Sequence, residues 1–387
     1  MSKIIGIDGN EANVIHRVGS GQYGFELLCA LAKIKTDHKF EIFLKNQPHE
    51  DLPKESSNWV YRVFGPKKLW TQIALPMNLY LGSPKIDVFF SPSHYAPRFS
   101  NVKQVITIFD LSYIHFPQSF AKKDLYQLRN WSAYSVGKAD KIITISQSSK
   151  KDIIEIYKIK PEKITVTYPG VGEQFSPRSG GEVKSVMNKY GINSDYIIYV
   201  GTLQPRKNLV RLLEAVEKVI RQLGLEALRG EQPKSLTTQE PNNLVLVIVG
   251  KKGWLYDEIF SAVKELNLEG KVIFTDFVPD DDLPALFSGA KAYVNVSLWE
   301  GFGIPVAEAQ ACGTPVVVSN TSSLPEVVGD SGVQVDPEDA DSIARGILKI
   351  VTDEKFAQSL VKNGFENIKR FSWENCAKQT LEVLSSV

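Results

Sequence analysis

Glu300 and Glu308 bracket a glycine-rich run, Gly301-Phe302-Gly303-Ile304-Pro305, that reads as a loop entering a helix. Pro305 suits the first helical position and Gly313 the residue just past the end. The N–H groups of Gly301, Phe302, Gly303 and Ile304 would then gather at a helix N-terminus, which favours anions and phosphate above all. Glycines at 301 and 303 let a ligand approach the backbone closely. Carboxylates on both sides of a phosphate cradle make sense if each accepts hydrogen bonds from hydroxyls. A nucleotide sugar has that layout, with ribose at one end, a diphosphate in the middle and sugar at the other. Taken singly, each glutamate reads as an ordinary loop or helix carboxylate.

A second charged group lies in Gly201-Thr202-Leu203-Gln204-Pro205-Arg206-Lys207-Asn208, directly after the apolar run Tyr196–Val200. Arg206 and Lys207 would sit at the C-terminal edge of a strand, where open α/β sheets bind ligands. Arginine grips a diphosphate bidentately and lysine supplies a point charge. Cations before a helix oppose its dipole, so their placement suggests a ligand. Two other patterns are weaker. Gly19-Ser20-Gly21-Gln22-Tyr23-Gly24 matches the GxGxxG dinucleotide spacing, yet Gly9–Val18 separates it from the first strand, and Glu41 sits near the start of the second. It reads better as a flexible loop opening a helix, its amides toward an interdomain cleft. Asp280-Asp281-Asp282 precedes Leu283, Leu286 and Phe287, so helix capping by at least one of them is preferred to a metal cluster, and no metal is expected.

The elements that must hold these groups alternate strand with helix almost end to end. Strands are expected at Ile4–Asp8, Phe40–Leu44, Val88–Ser91, Gln104–Ile108, Lys141–Ile145 and Ile164–Thr167, then at Tyr196–Val200, Leu244–Val249, Val272–Thr275, Ala292–Val296 and Pro315–Ser319. Leu244–Val249 is apolar on both faces, which only a sheet covered on both sides by helices requires. Leu209, Leu212, Leu213, Val216, Val219 and Ile220 repeat at the spacing of a one-faced helix. The reading is two doubly wound α/β domains with parallel sheets, 1–180 and 181–370, with a C-terminal helix in 371–387 returning to the first. Gly230–Asn243 reads as a polar insertion.

With 387 residues, 45 Lys+Arg against 44 Asp+Glu and a net charge of +1, the chain suits two domains and lacks the basic excess of a nucleic-acid coat protein. Cys29, Cys312 and Cys376 are too scattered for a disulfide framework or zinc cage. With neither a secretory signal nor a membrane span legible, a cytoplasmic protein is expected. Lys67, Lys68, Trp70, Lys122 and Lys123 would place any peripheral contact with an anionic membrane, at its inner face, in the first domain.

The Glu-x7-Glu segment, the Pro205-Arg206-Lys207-Asn208 turn and the paired domains together resemble the GT-B-fold retaining glycosyltransferases of glycosyltransferase family 4. So do Ser91-Pro92-Ser93-His94-Tyr95, Asp110-Leu111-Ser112, Gly250-Lys251-Lys252-Gly253-Trp254, Phe277-Val278-Pro279 and Leu324-Pro325-Glu326-Val327. The pattern is most similar to bacterial mannosyltransferase-like enzymes of surface polysaccharide synthesis. The resemblance implies two Rossmann-like domains facing a deep cleft. It also implies transfer from a nucleoside-diphosphate sugar, GDP-mannose or a UDP-sugar, to a glycan or polyprenyl-linked acceptor, with no cofactor. It assigns the ribose to Glu308, donor-sugar hydroxyls to Glu300, and the leaving diphosphate to Arg206 and Lys207. Phe277 and Val278 would lie beside the base, Gly19, Ser20 and Gly21 would approach the donor, and Asp110 would face the acceptor. Two departures stand out. Thr202 replaces a frequent Arg, whose charge Arg206 would take over, and Phe109 replaces a frequent His. The rival readings are a non-catalytic nucleotide- or glycan-binding protein of the same fold and a nicotinamide-dependent dehydrogenase resting on Gly19–Gly24.

Overall fold

The computed structural model describes residues 2–228 and 243–387. Most of the insertion expected at Gly230–Asn243 therefore lies outside the described residues. The chain divides into unit 1, Met1–Gly170 with Phe371–Val387, and unit 2, Val171–Arg370. The division falls after Gly170 and not after residue 180, because the residues just beyond it pack within unit 2. Phe175 meets the ring of Phe287 at 6.2 Å, and the Arg178 N–H donates to Ser288 Oγ at 3.0 Å.

Unit 1 runs β1 (Ile4–Asp8), α1 (Ser20–Ala32), β2 (Lys39–Leu44), β3 (Trp59–Val63), α2 (Ala74–Leu81), β4 (Val88–Ser91), β5 (Lys103–Ile108) and α3 (Ser112–His115). It continues through α4 (Lys122–Lys138), β6 (Lys141–Thr144), α5 (Gln147–Tyr157) and β7 (Ile164–Val166). Among the described residues its sheet has seven parallel strands in the order β3-β2-β1-β4-β5-β6-β7. Unit 2 runs α6 (Gly180–Lys189), β8 (Tyr196–Val200), α7 (Leu209–Leu228), β9 (Val245–Val249), α8 (Asp257–Glu265), β10 (Val272–Asp276) and α9 (Leu283–Gly289). It ends with β11 (Ala292–Asn295), α10 (Ile304–Ala311), β12 (Val316–Ser319), α11 (Leu324–Val328), β13 (Val333–Val335), α12 (Ala340–Thr352) and α13 (Glu354–Asn367). Its described sheet has six parallel strands, β10-β9-β8-β11-β12-β13. Central strands such as β9 are buried along their whole length, as helices on both faces demand.

Two local expectations change. Asp282 stands before α9 but its side chain does not cap it; the carboxylate instead takes Lys189 Nζ and Tyr190 Oη, each at 2.6 Å, tying α9 to α6. Trp70 is not a surface residue: it is 1% exposed, stacks on Phe64 at 5.2 Å and donates its indole N–H to the Phe64 carbonyl. Glu41, whose place near the start of the second strand counted against the dinucleotide match, is buried and ion-paired with Arg62 of β3.

The helix expected at the C-terminal end is α14 (Trp373–Ser386), and it packs on α1. Trp373 meets Tyr23 at 5.6 Å, Lys3 Nζ donates to the Ser385 carbonyl at 2.7 Å, and Cys376, Ala377, Thr380 and Leu384 are fully buried. Gly170 fits under this helix because it lacks a side chain: a Cβ there would lie 2.6 Å from Trp373 Cγ and 2.7 Å from the Ser372 carbonyl carbon. Gly170→Ala is expected to destabilise unit 1 by about 1–3 kcal/mol through overpacking. Trp373 fluorescence during denaturant unfolding would register the loss; an unchanged midpoint would refute it.

Candidate functional site

The order of the second sheet reverses between β8 and β11, and ligands of open α/β sheets bind where the loops leaving such strands diverge. The loop after β8 carries Arg206 and Lys207 on a 3-10 turn, Pro205–Lys207. The loop after β11 carries Glu300. The two loops are joined through the backbone, the Leu298 N–H donating to the Arg206 carbonyl at 2.9 Å. Asn208, in the left-handed region at φ 59, donates its amide to the carbonyls of Val296 at 3.0 Å and Pro337 at 2.7 Å.

Glu300 is the centre of the arrangement. Lys207 Nζ donates to Glu300 Oε1 at 2.6 Å, and Arg206 Nη1 reaches Oε2 at 3.3 Å and the Trp299 carbonyl. Ser297 Oγ donates to Oε1 at 2.7 Å, and the Glu300 N–H donates to Ser322 Oγ at 3.0 Å. All three charged side chains are largely buried. Burial alone would raise the carboxyl pKa, but Lys207, then Arg206, outweigh it and hold the group ionised down to about 2. The trio carries two positive charges and one negative, fixed before any ligand is present.

The glycine run lies against this trio. Gly303 precedes α10 in the left-handed region at φ 96, and a Cβ there would meet Leu324 Cδ2 at 2.8 Å. Ser323 Oγ, 2.9 Å from the Glu300 carbonyl and 3.1 Å from that of Phe302, fixes the loop from behind. Gly301 and Phe302 are buried, while Gly303, Ile304 and Glu308 of α10 are half-exposed. Gly313 follows the helix at φ 78, as its terminator should.

The neighbouring loops after β8 and β9 are zipped together. Leu203 N–H donates to the Lys251 carbonyl and Gly253 N–H to that of Leu203, each at 3.0 Å. Gly250, at φ 146, leaves no room for a side chain, since a Cβ would lie 2.7 Å from the Gly201 carbonyl carbon. Beyond β10, Phe277 is exposed with Lys251 Nζ 4.6 Å from its ring, whereas Val278 is buried. Neither the serines that orient Glu300 nor the Gly250–Gly201 contact was singled out from the sequence. The repeated glycines of Gly250–Gly253 were the signal for the second.

The remaining candidates belong to unit 1. Gly19 precedes α1 at φ 53, a Cβ on Gly21 would lie 2.9 Å from the Glu11 carbonyl, and Ser20 Oγ donates to Glu11 at 3.2 Å. Asp110 follows β5 and accepts the Ser112 N–H at 2.8 Å, bridging into α3. His94 accepts the Phe109 N–H at Nε2, and burial lowers its pKa against the opposing charge of Asp110. His115 pairs with Asp152 at 3.2 Å.

Residues 184–367 match the family described as glycosyl transferases group 1, and residues 19–175 match glycosyltransferase family 4. An O-antigen chain mannosyltransferase B of Escherichia coli is 33% identical over 388 residues, covering 94% of each chain. This chain belongs to the group 1 glycosyltransferases. Among solved structures, the sucrose-phosphate synthase of Thermosynechococcus elongatus is similar at TM-score 0.74 and 20% identity, over 99% of this chain and 98% of that one. HepE of Anabaena, in complex with UDP-glucose, is similar at TM-score 0.74 and 19% identity over the whole of both chains. The two parallel sheets are thus those of the GT-B fold. Among the described residues no helix is long and apolar enough to cross a membrane.

Proposed function

We propose that this glycosyltransferase moves a mannosyl or related hexosyl group from a nucleoside-diphosphate sugar to a glycan or lipid-linked hydroxyl, with retention at the anomeric carbon and without a metal. The observation that carries the reading is the convergence of Arg206 and Lys207 on the ionised Glu300 at the switch point of the second sheet. Breaking the anomeric C–O bond leaves negative charge on the diphosphate. Two fixed cations and the amides at the start of α10 would stabilise that charge without reorganising, which is the source of catalytic gain in such sites. Glu300 would keep its cations aligned and accept hydrogen bonds from sugar hydroxyls, and Glu308 would hold the ribose. Phe277, with Lys251 beside it, offers an exposed ring to the base. Asp110 is assigned to the acceptor, where it or the leaving phosphate itself would take the hydroxyl proton.

The test is incubation with GDP-mannose or UDP-glucose and a mannoside acceptor, with and without EDTA, followed by NMR of the product's anomeric configuration. An α-configured product from an α-configured donor, unaffected by EDTA, is expected; inversion or loss of activity with EDTA would overturn the corresponding part. The donor site has a separate readout. GDP or UDP at about 100 times its dissociation constant should stabilise the protein by roughly 2.7 kcal/mol, and Glu308→Ala should abolish that gain. Stabilisation by NAD alone would sink the reading.

A further inference from the structure

Strand β11 departs from what its position demands. It lies between β8 and β12 and is buried along its whole length, where a parallel strand covered on both faces is expected to be apolar throughout. Yet from Ala292 to Ser297 every second residue carries a polar group: Tyr293, Asn295 and Ser297. The two-residue period puts Tyr293 and Asn295 on one face of the strand, with Ser297 just beyond its end. None of the three is more than 3% exposed. Buried polar groups destabilise a fold unless they are paired, so three of them in the middle of a sheet call for a use.

They are paired with one another, in a line that ends at Glu300. Asn295 Nδ2 donates to Tyr293 Oη at 3.3 Å, and Asn295 Oδ1 accepts the Ser297 N–H at 3.2 Å, in the turn by which the chain leaves the strand. From β12, Ser319 Oγ donates to the Ser297 carbonyl at 2.7 Å. Ser297 Oγ itself lies 2.7 Å from two acceptors, Asn295 Oδ1 and Glu300 Oε1, and has one proton to give. The ionised carboxylate makes the stronger bond and takes it, which leaves Asn295 to hold Ser297 by its backbone. The two oxygens of Glu300 are then unequal. Oε1 receives Lys207 Nζ at 2.6 Å and Ser297 Oγ at 2.7 Å, whereas among the described residues Oε2 receives Arg206 Nη1 alone, at 3.3 Å. Glu300 keeps 8% exposure, more than any residue of the line behind it.

We propose that Tyr293, Asn295 and Ser297 are positioning residues for the donor sugar, fixing the Glu300 carboxylate in one rotation with Oε1 tied to the sheet and Oε2 left to accept a sugar hydroxyl. The inference rests on the donor-sugar role proposed for Glu300; none of the three touches the sugar, and each acts through that carboxylate. Lys207 grips the same oxygen from the end of a flexible four-carbon stem, so it does not by itself decide the rotation. The short Ser297 side chain, anchored to β11 and β12, does. A carboxylate held this way has no rotational freedom left to lose when the sugar arrives.

The test compares two quantities in the full chain: the dissociation constant of GDP or UDP, by titration calorimetry, and kcat/KM for GDP-mannose or UDP-glucose, whichever the wild type uses. Ser297→Ala should lower kcat/KM about tenfold, the usual weight of a hydrogen bond to a charged group, while the diphosphate alone binds within about twofold of wild type. Ser297→Thr, which keeps the hydroxyl, should recover most of the loss. Asn295→Leu should fall between Ser297→Ala and Tyr293→Phe, so that the effect fades along the line. Tyr293→Phe deletes one oxygen and no carbon, and it keeps the gradient measurable where Asn295→Leu fails to fold. Equal losses in diphosphate binding and in kcat/KM would overturn the proposal, because the line would then be structural support for the whole site. Unchanged kcat/KM in Ser297→Ala would overturn it as well. A wild type that binds a diphosphate but transfers from neither donor would instead strike the glycosyl-transfer reading, and the proposal with it.

Discussion

Lys207→Ala should lower turnover by roughly 10²-fold or more at saturating donor, the usual cost of removing one preorganised donor to developing charge. The same change should alter acid stability in a defined direction. Glu300 has its folded pKa depressed to about 2 from 4.5. Its ionisation therefore contributes stability that is fully present above about pH 4.5 and is lost as pH falls through about 2, on the order of 3 kcal/mol in all. Without Lys207 the depression shrinks, so this contribution should be smaller and its loss complete at a higher pH. Measuring turnover and acid unfolding on one variant separates the two roles. A normal turnover with a shifted acid limb would leave Lys207 as a structural partner of Glu300 only. Glu300→Gln should be worse for stability, by about 3–5 kcal/mol, because it strands two buried cations beside each other.

Gly250→Ala is the second change with a large expected effect. Its new Cβ would press on the Gly201 peptide at a backbone angle, φ 146, that a side chain disfavours. Backbone cannot swing aside as a side chain can, so a loss of about 3 kcal/mol or more is expected. The displaced turn is the one that leads to Arg206 and Lys207, so turnover should fall even at temperatures where the variant stays folded. Gly137→Ala is the matched comparison. That glycine lies in α4 with open space around it, and alanine there should be neutral or stabilising by up to about 1 kcal/mol. Equal behaviour of the two variants would refute the steric argument.

What could be read ahead of the structure follows from burial. Strands such as Val245–Val249 and Val316–Val318 are apolar throughout because both faces are covered, so composition alone marks them. Trp59–Val63 and Val333–Val335 escaped because they are edge strands: the first ends in exposed Arg62 and Val63, and the second is only three residues long. At the site, each charged residue was legible but their mutual bonding was not. Arg206 and Lys207 looked uncompensated before a helix, and a ligand seemed required; Glu300, distant in sequence, supplies part of that compensation. Trp70 misled for a related reason. Neighbouring lysines mark a surface, yet an aromatic ring between them can fold inward onto Phe64.

The placement of α14 has a consequence for how the protein is made. Phe371–Val387 belongs to unit 1 but follows all of unit 2 in the chain. Once Arg370 has been added, then, unit 2 has every residue it needs, while unit 1 still has an open socket where Cys376, Ala377 and Leu384 will sit. Once unit 2 folds, it ceases to be a long floppy loop whose closure opposes the final docking, and becomes a compact spacer carrying the last helix. The order of assembly is thus biased by the order of synthesis: the middle of the chain matures first, and the beginning is completed last.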